Sequence, residues 1–244
     1  MRAKIHGKES VIDYYQDDEV ASKYIKQRYS SLFGKLRNEL EIKAINFFLK
    51  NLNPKTTLDL AAGTGRVTKR LKNFGEGYAI DTSEEMLEYA KAEISNWIFK
   101  KSDAFNIPFE DKFFDVVVST RFIWHFKKSD RDKLFKEIWR VLKSDGHLIF
   151  DFPNANIKRF VPTKSRIGKK RVYTHSWTIR GIKEELQENN FRFILVKNIL
   201  NNSRKLHNMS MSSNSQLNLI KMKLVNILSK KEAYNYVVLA RKIR

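Results

Sequence analysis

The chain has 244 residues, 42% of them hydrophobic, which is enough for one large α/β domain with a full core. It has no cysteine, so disulfides, thiolate metal sites and a cysteine nucleophile are excluded. The formal charge is +20, and no apolar run approaches the roughly 18 residues of a membrane span. Met1-Arg2-Ala3-Lys4-Ile5-His6 lacks a signal-peptide core, so a cytoplasmic location is expected.

Residues 9–30 carry Tyr14, Tyr15, Val20, Tyr24, Ile25 and Tyr29 at helical spacing, and a second helix is predicted over 36–51. Asn53-Pro54 ends it. Leu58–Leu60 reads as the first core strand, followed by a small-residue turn and a helix over 66–73. The second strand is Gly77–Ile80. Thr82-Ser83-Glu84-Glu85 is a capped helix start. Strands near Trp97–Lys100 and Asp115–Ser119, a helix over 129–142 and a strand His147–Phe152 come next. Then a helix at Thr178–Leu186 and strands Phe193–Ile199 and Tyr236–Ala240 close the pattern. Alternating strands and helices imply a parallel sheet wound on both faces.

In residues 58–65 the chain reads Leu58-Asp59-Leu60-Ala61-Ala62-Gly63-Thr64-Gly65, and Ala79-Ile80-Asp81 follows. A strand, a glycine turn, a helix start and a strand ending on an acid can hold a nucleotide-like cofactor. The glycines admit the backbone, the helix start offers N–H groups, and the acid accepts from ribose hydroxyls. A dinucleotide G-x-G-x-x-G would need a glycine at Thr68. The stretch fits D-x-G-x-G-x-G better, with Ala61 in the first glycine slot.

Two further blocks stand in the same order. One is Asp103-Ala104 with Ile107-Pro108-Phe109-Glu110-Asp111 and Phe114-Asp115-Val116-Val117-Val118. The other is Glu137 through Leu148. From about Thr57 to Pro153 the chain resembles the class I, Rossmann-like S-adenosylmethionine-dependent methyltransferases. The resemblance implies a doubly wound, mostly parallel seven-stranded sheet with an antiparallel final strand and N-terminal helices. It implies one domain over 1–244: a helical cap (1–53), a cofactor core (54–153), and a basic acceptor-side segment with the last helix and strand pair (154–244).

By resemblance, Asp59 orients the loop and the methionine amino group, and Ala61, Gly63, Thr64 and Gly65 line the methionine side, with Thr68 nearby. Asp81 takes the ribose hydroxyls. Thr82 and Met86 flank the adenine, and Asp103 and Ala104 read its edge. Ser119 faces the methionine. His125, just past the fourth strand, is the catalytic candidate as base or gate, with a structural histidine as the bland alternative. Tyr15 and Tyr24 could cap the site. Asp151 and Asn154 end the fifth strand, where acceptor contacts occur. Asp151-Phe152-Pro153-Asn154 is not the amino-methyltransferase motif, which follows the fourth strand. No metal cluster is expected.

The expected activity is methyl transfer to a small-molecule or lipid-like acceptor, by in-line displacement that mainly needs positioning. The charge opens an alternative. Residues 151–244 hold 20 Lys and Arg against 5 Asp and Glu, leaving 27 against 22 for the rest. A basic stretch over 154–176 could meet an acceptor, RNA or an anionic surface. RNA methylation is therefore the second reading, though a cysteine-dependent route on cytosine is closed. A non-catalytic partner protein that keeps the fold is the third. The segment 201–232 places Leu217, Ile220, Leu224, Ile227 and Leu228 on one helical face, expected to pack on the sheet edge, with a lid or a membrane-surface helix as alternatives. The oligomeric state is left open.

Overall fold

Helix α1 (Leu32–Leu52) starts where the Ser31 hydroxyl accepts from Gly34 N at 3.1 Å, four residues before the apolar pattern suggests. It ends at Asn53, whose left-handed φ of 47° lets its N–H reach Leu49 O. A computed structural model describes residues 4–5, 30–157, 171–213, 215–229 and 231–243. The expected helix over 9–30, with Tyr15 and Tyr24, lies outside the described residues except for its last position, as do residues 158–170 of the basic stretch.

Seven strands follow: β1 (Thr56–Leu60), β2 (Glu76–Asp81), β3 (Ile98–Lys101), β4 (Phe114–Ser119), β5 (Leu142–Pro153), β6 (Phe191–Asn201) and β7 (Ala233–Lys242). They form one sheet in the order β3-β2-β1-β4-β5-β7-β6. β7 runs antiparallel to both its neighbours, and the pairs from β3 through β5 are parallel. This is the Rossmann-like sheet implied by the sequence. A two-residue parallel pairing also joins Lys4–Ile5 to Arg171–Val172.

Helices α2 (Glu84–Glu93), α3 (Lys128–Val141), α4 (Ile179–Glu188), α5 (Ser203–Ser212) and α6 (Gln216–Leu228) complete the described elements. The period of two along the central strands sorts the core into two layers. Leu148, Phe150 and Phe152 of β5 pack with Leu134, Phe135 and Ile138 of α3 and Ile182 and Leu186 of α4. Ile149 and, on β7, Val237 and Leu239 pack with Leu36, Ile45 and Phe48 of α1, Ala90 of α2, Leu206 of α5 and Met222 of α6. β1 and β4 are buried along almost their whole length, as strands covered on both faces must be.

Three expectations are corrected. The helix over 66–73 does not form: only a single 3₁₀ turn, Thr68–Arg70, follows the glycine turn. The Asn46 side chain of α1 replaces the helical partners, donating to Arg70 O at 2.9 Å and accepting from Lys72 N at 2.8 Å. β5 begins at Leu142, pairs with Phe114, and then shifts register before Val116 meets His147. The segment 201–232 holds two helices, and the apolar face named above points outward from α6. The buried positions of α6 are Asn218, Met222 and Asn226.

Candidate cofactor cleft

A cleft opens at the carboxyl ends of β1, β2, β3 and β4, where ligands bind in sheets of this kind. Ala61, Ala62, Gly63 and Thr64 line it from the turn after β1, and Ile80, Asp81 and Thr82 from the end of β2. Met86 comes from α2, and Ser102, Asp103, Ala104 and Phe105 from beyond β3. Thr120, Arg121 and Phe122 follow β4, and Arg66 and Val67 close the side.

The glycine turn is held against β2 by hydrogen bonds. Ala62 N donates to Ile80 O at 3.0 Å, and Gly63 N donates to Asp81 Oδ2 at 2.8 Å. The other Asp81 oxygen accepts from Ser83 N at 3.0 Å. Burial raises the Asp81 carboxyl, opposed by the backbone N–H groups of Ser83, Gly63 and Thr82. Gly63 and Gly65 both lie at positive φ, 54° and 70°. They serve different ends. A Cβ on Gly63 would enter the cleft 3.5 Å from Met86 Sδ, whereas one on Gly65 would sit 2.6 Å from Ile94 Cδ1, inside the contact with α2. Ala61 shares the left-handed region at 61°, as an alanine in a glycine slot.

The sequence-derived site residues therefore fall into two groups. Ala61, Gly63, Thr64, Asp81, Thr82, Met86, Asp103 and Ala104 line the cleft. Asp59, Gly65, Thr68 and Ser119 stand behind the wall. Thr68 Oγ1 donates to Asp59 Oδ2 at 2.5 Å, and Ser119 Oγ donates to Leu60 O at 3.2 Å. Burial pushes the Asp59 carboxyl up to about 6, against the Thr68 hydrogen bond and the Arg66 charge. Asp103 Oδ1 accepts from Phe105 N at 3.0 Å, an Asx turn that shapes the loop after β3.

Sequence reasoning missed the charged rim. Glu41, fully buried on α1, meets Arg37 at 2.8 Å, Arg121 at 3.3 Å and Arg66 at 3.4 Å. Burial alone would raise the Glu41 carboxyl, but the Arg121, Arg37 and Arg66 guanidiniums hold it at about 2. Arg121 sits at φ 57°, with its N–H donating to Asp151 Oδ1 at 2.5 Å. The signal available was position: Thr120-Arg121 directly follows β4, at the ligand-facing end of the sheet.

Other candidates turn inward. Asp151 also accepts from Trp124 Nε1 at 3.3 Å and Asn235 Nδ2 at 3.1 Å. The Asn154 side chain donates to Ala233 O at 2.9 Å and to the Tyr236 hydroxyl at 3.1 Å. Both brace β5 against its neighbours and are buried, so their expected acceptor role is corrected. His125 is buried in the turn Ile123–His125, its Nδ1 is 2.8 Å from Tyr173 O, and its ring lies 4.0 Å from that of Trp124. Among the described residues no group of three acidic or histidine side chains could hold a metal ion. None of the described helices is long and apolar enough to cross a membrane.

The fold has class I methyltransferase architecture, with a cleft at the strand ends where sheets of this kind bind their ligands. Residues 58–150 match a family model described as a methyltransferase domain. A demethylmenaquinone methyltransferase of Thermotoga maritima is 35% identical over 147 residues, 59% of this chain and 62% of that protein. The chain spans less than two thirds of the length of the curated relatives it matches first. Among solved structures, a SAM-dependent methyltransferase of T. maritima, described as a possible histamine N-methyltransferase, superposes with a TM-score of 0.62 at 18% identity. That alignment covers 92% of this chain and 98% of that one. A magnesium protoporphyrin IX methyltransferase from Synechocystis with bound SAM gives 0.64 at 13% identity, over 99% and 100% of the two chains. Residues 58–150 thus match a methyltransferase domain, and the chain has the fold of the class I S-adenosylmethionine-dependent methyltransferases.

Proposed function

We propose that this protein transfers the methyl group of S-adenosylmethionine, by in-line displacement, to a small-molecule or lipid-like acceptor. The observation that supports it most is the glycine turn hydrogen-bonded to Asp81 at the cleft wall. The residues fit the cofactor: Gly63 leaves open the space a Cβ would fill, and acids stand at the ends of β2 and β3. Asp81 would hold the ribose hydroxyls, Asp103 and the Ala104 N–H the adenine edge, and Asp59, through the loop, the amino group. Arg66 is placed to meet the carboxylate, with Glu41 fixing its direction.

When bound, the cofactor supplies a methyl group on a positively charged sulfur, already activated for attack. The protein's part is then to align the acceptor and keep water out. Phe105 and Phe122 supply apolar wall beside the cleft. A base is needed only if the acceptor loses a proton during attack. We read His125 as a positioning residue that holds Tyr173, rather than as that base. The acceptor class draws support from the Thermotoga relative, which is named for a quinone.

Calorimetry with S-adenosylmethionine tests the cofactor reading. Wild type binds and Asp81→Ala, which removes the acceptor for both the loop and the ribose, does not. No binding by folded wild type overturns it and brings the non-catalytic reading forward. Incubating cell extract with methyl-labelled donor then sorts the acceptor. Label in the solvent-extractable fraction supports the proposal, and label in RNA supports the second reading.

A further inference from the structure

Helix α6 presents its apolar side to the surroundings. Leu217, Ile220, Leu224, Ile227 and Leu228 are 61%, 56%, 53%, 74% and 77% exposed. At 100° per residue these five span an arc of about 100° on the helix. The opposite side is fastened to the protein largely through amides. Asn218 Nδ2 donates to Met209 O at 2.6 Å and Ser213 O at 2.7 Å, and Asn226 Oδ1 accepts from Asn201 N at 2.8 Å. Only Met222 adds a fully buried apolar side chain. A surface helix ordinarily turns these faces the other way, so the outward stripe marks an interaction surface.

The charge around the stripe identifies what it meets. Lys221 borders the arc on one side and is exposed, and Lys223 borders it on the other, 39% exposed and paired with Glu39. Exposed Arg204 and Lys205 lie on the neighbouring α5, and exposed Lys231 follows α6. The chain from 151 onward carries 20 basic against 5 acidic residues. An apolar stripe between cations matches a leaflet of anionic headgroups over acyl chains. A second copy is a poor occupant, because two chains of +20 would bring lysines against lysines.

We propose that α6 docks on an anionic lipid bilayer, its apolar stripe lying in the interface and its flanking lysines among the headgroups. This docking does not depend on methyl transfer, and its test reads lipid rather than turnover.

The test is flotation of the full chain with vesicles of phosphatidylcholine alone, or of phosphatidylcholine and phosphatidylserine in equal parts. Wild type floats with the mixed vesicles and not with the neutral ones. Salt near 0.5 M, where the screening length falls to roughly 4 Å, releases most of it. The double variant Leu224→Asp, Ile227→Asp floats at least about tenfold less, with unchanged thermal unfolding because both side chains are exposed. Lys221→Glu weakens binding to the mixed vesicles alone. The proposal is overturned if wild type does not float, or if the double variant floats as well as wild type. It is equally overturned if wild type is a dimer in solution that the double variant splits into monomers.

Discussion

At Ala61 the backbone holds an alanine at φ 61°, where the methyl group crowds the following carbonyl. Ala61→Gly is expected to relieve that strain and stabilise the fold by about 1 kcal/mol, net of the extra freedom glycine has when unfolded. Chemical denaturation checks it through a higher midpoint at constant slope. Gly65→Ala has the opposite expectation. Its Cβ meets Ile94 at 2.6 Å on a backbone at φ 70°, so a loss of roughly 1–3 kcal/mol should appear in the absence of any ligand. Asp59 sets a pH dependence. Its folded carboxyl titrates near 6 against an ordinary 3.8, so the folded state binds the proton more tightly. The Asp59 contribution is therefore greatest below about 4, is lost as pH rises through 6, and on the alkaline side is smaller by about 3 kcal/mol. Asp59→Asn should reduce that fall, with buried Asp81 and Asp151 supplying the remainder, which melting curves between about pH 4 and 8 would read. If the variant showed the same fall as wild type, another group would be responsible.

Among the elements, α1 is tied to the cleft by one buried acid. Glu41 has its carboxyl depressed from 4.5 to about 2, so its contribution is complete above about 4.5 and is lost as pH falls through 2. The shift corresponds to about 3 kcal/mol. Glu41→Gln removes the carboxylate that Arg37, Arg66 and Arg121 share, and leaves Asp151, 3.6 Å from Arg37, as the neighbouring acid. It should destabilise the protein by roughly 3–5 kcal/mol and also weaken cofactor binding, because Arg66 and Arg121 line the cleft. Calorimetry and denaturation on the same sample separate the two effects. A second buried pair joins α3 to α4. Arg131 meets Glu185 at 2.6 Å and donates to Phe126 O, and Trp177 donates to the same carboxylate at 2.6 Å. Glu185→Ala alone should cost more than the double change Arg131→Met with Glu185→Leu, since the single change strands a buried cation. Denaturation of the three proteins ranks them, and equal losses would mean the pair is not acting as a unit.

For the molecule as a whole, a ligand that binds only the folded state raises its stability by mass action. At a donor concentration about one hundred times its Kd, S-adenosylmethionine should add about 2.7 kcal/mol, a rise in Tm of roughly 5–10 °C for a chain of this size. A thermal shift that vanishes in Asp81→Ala would tie the gain to the cleft. The wider balance of charge acts at the same scale. The excess of cations lies in the last hundred residues, whereas the cofactor core is nearly neutral. The segment from 151 onward, α6 included, thus carries the field that the proposed anionic partner would meet.

The strand positions, the sheet covered on both faces and the glycine turn were legible because they rest on short-range patterns. Leu58 to Gly65 encodes strand and turn locally, and Ser83 with Glu84 and Glu85 caps a helix within four residues. Residues that meet across the sequence were not legible. Nothing local in Glu41 shows that Arg66 and Arg121 will converge on it, 25 and 80 positions away. Asn46 ends a neighbouring turn that its own sequence reads as a helix. The outward side of α6 misled the periodicity argument because amphipathicity fixes that a helix has two faces, not which one the protein takes. By itself, then, the sequence determined the fold class, through its resemblance, and the strand-and-turn pattern of residues 58–65, which depends on neighbouring residues alone. Only the tertiary structure decided the charged rim, the inward use of Asp151 and Asn154, and the exposed stripe, because those depend on which distant groups burial brings together.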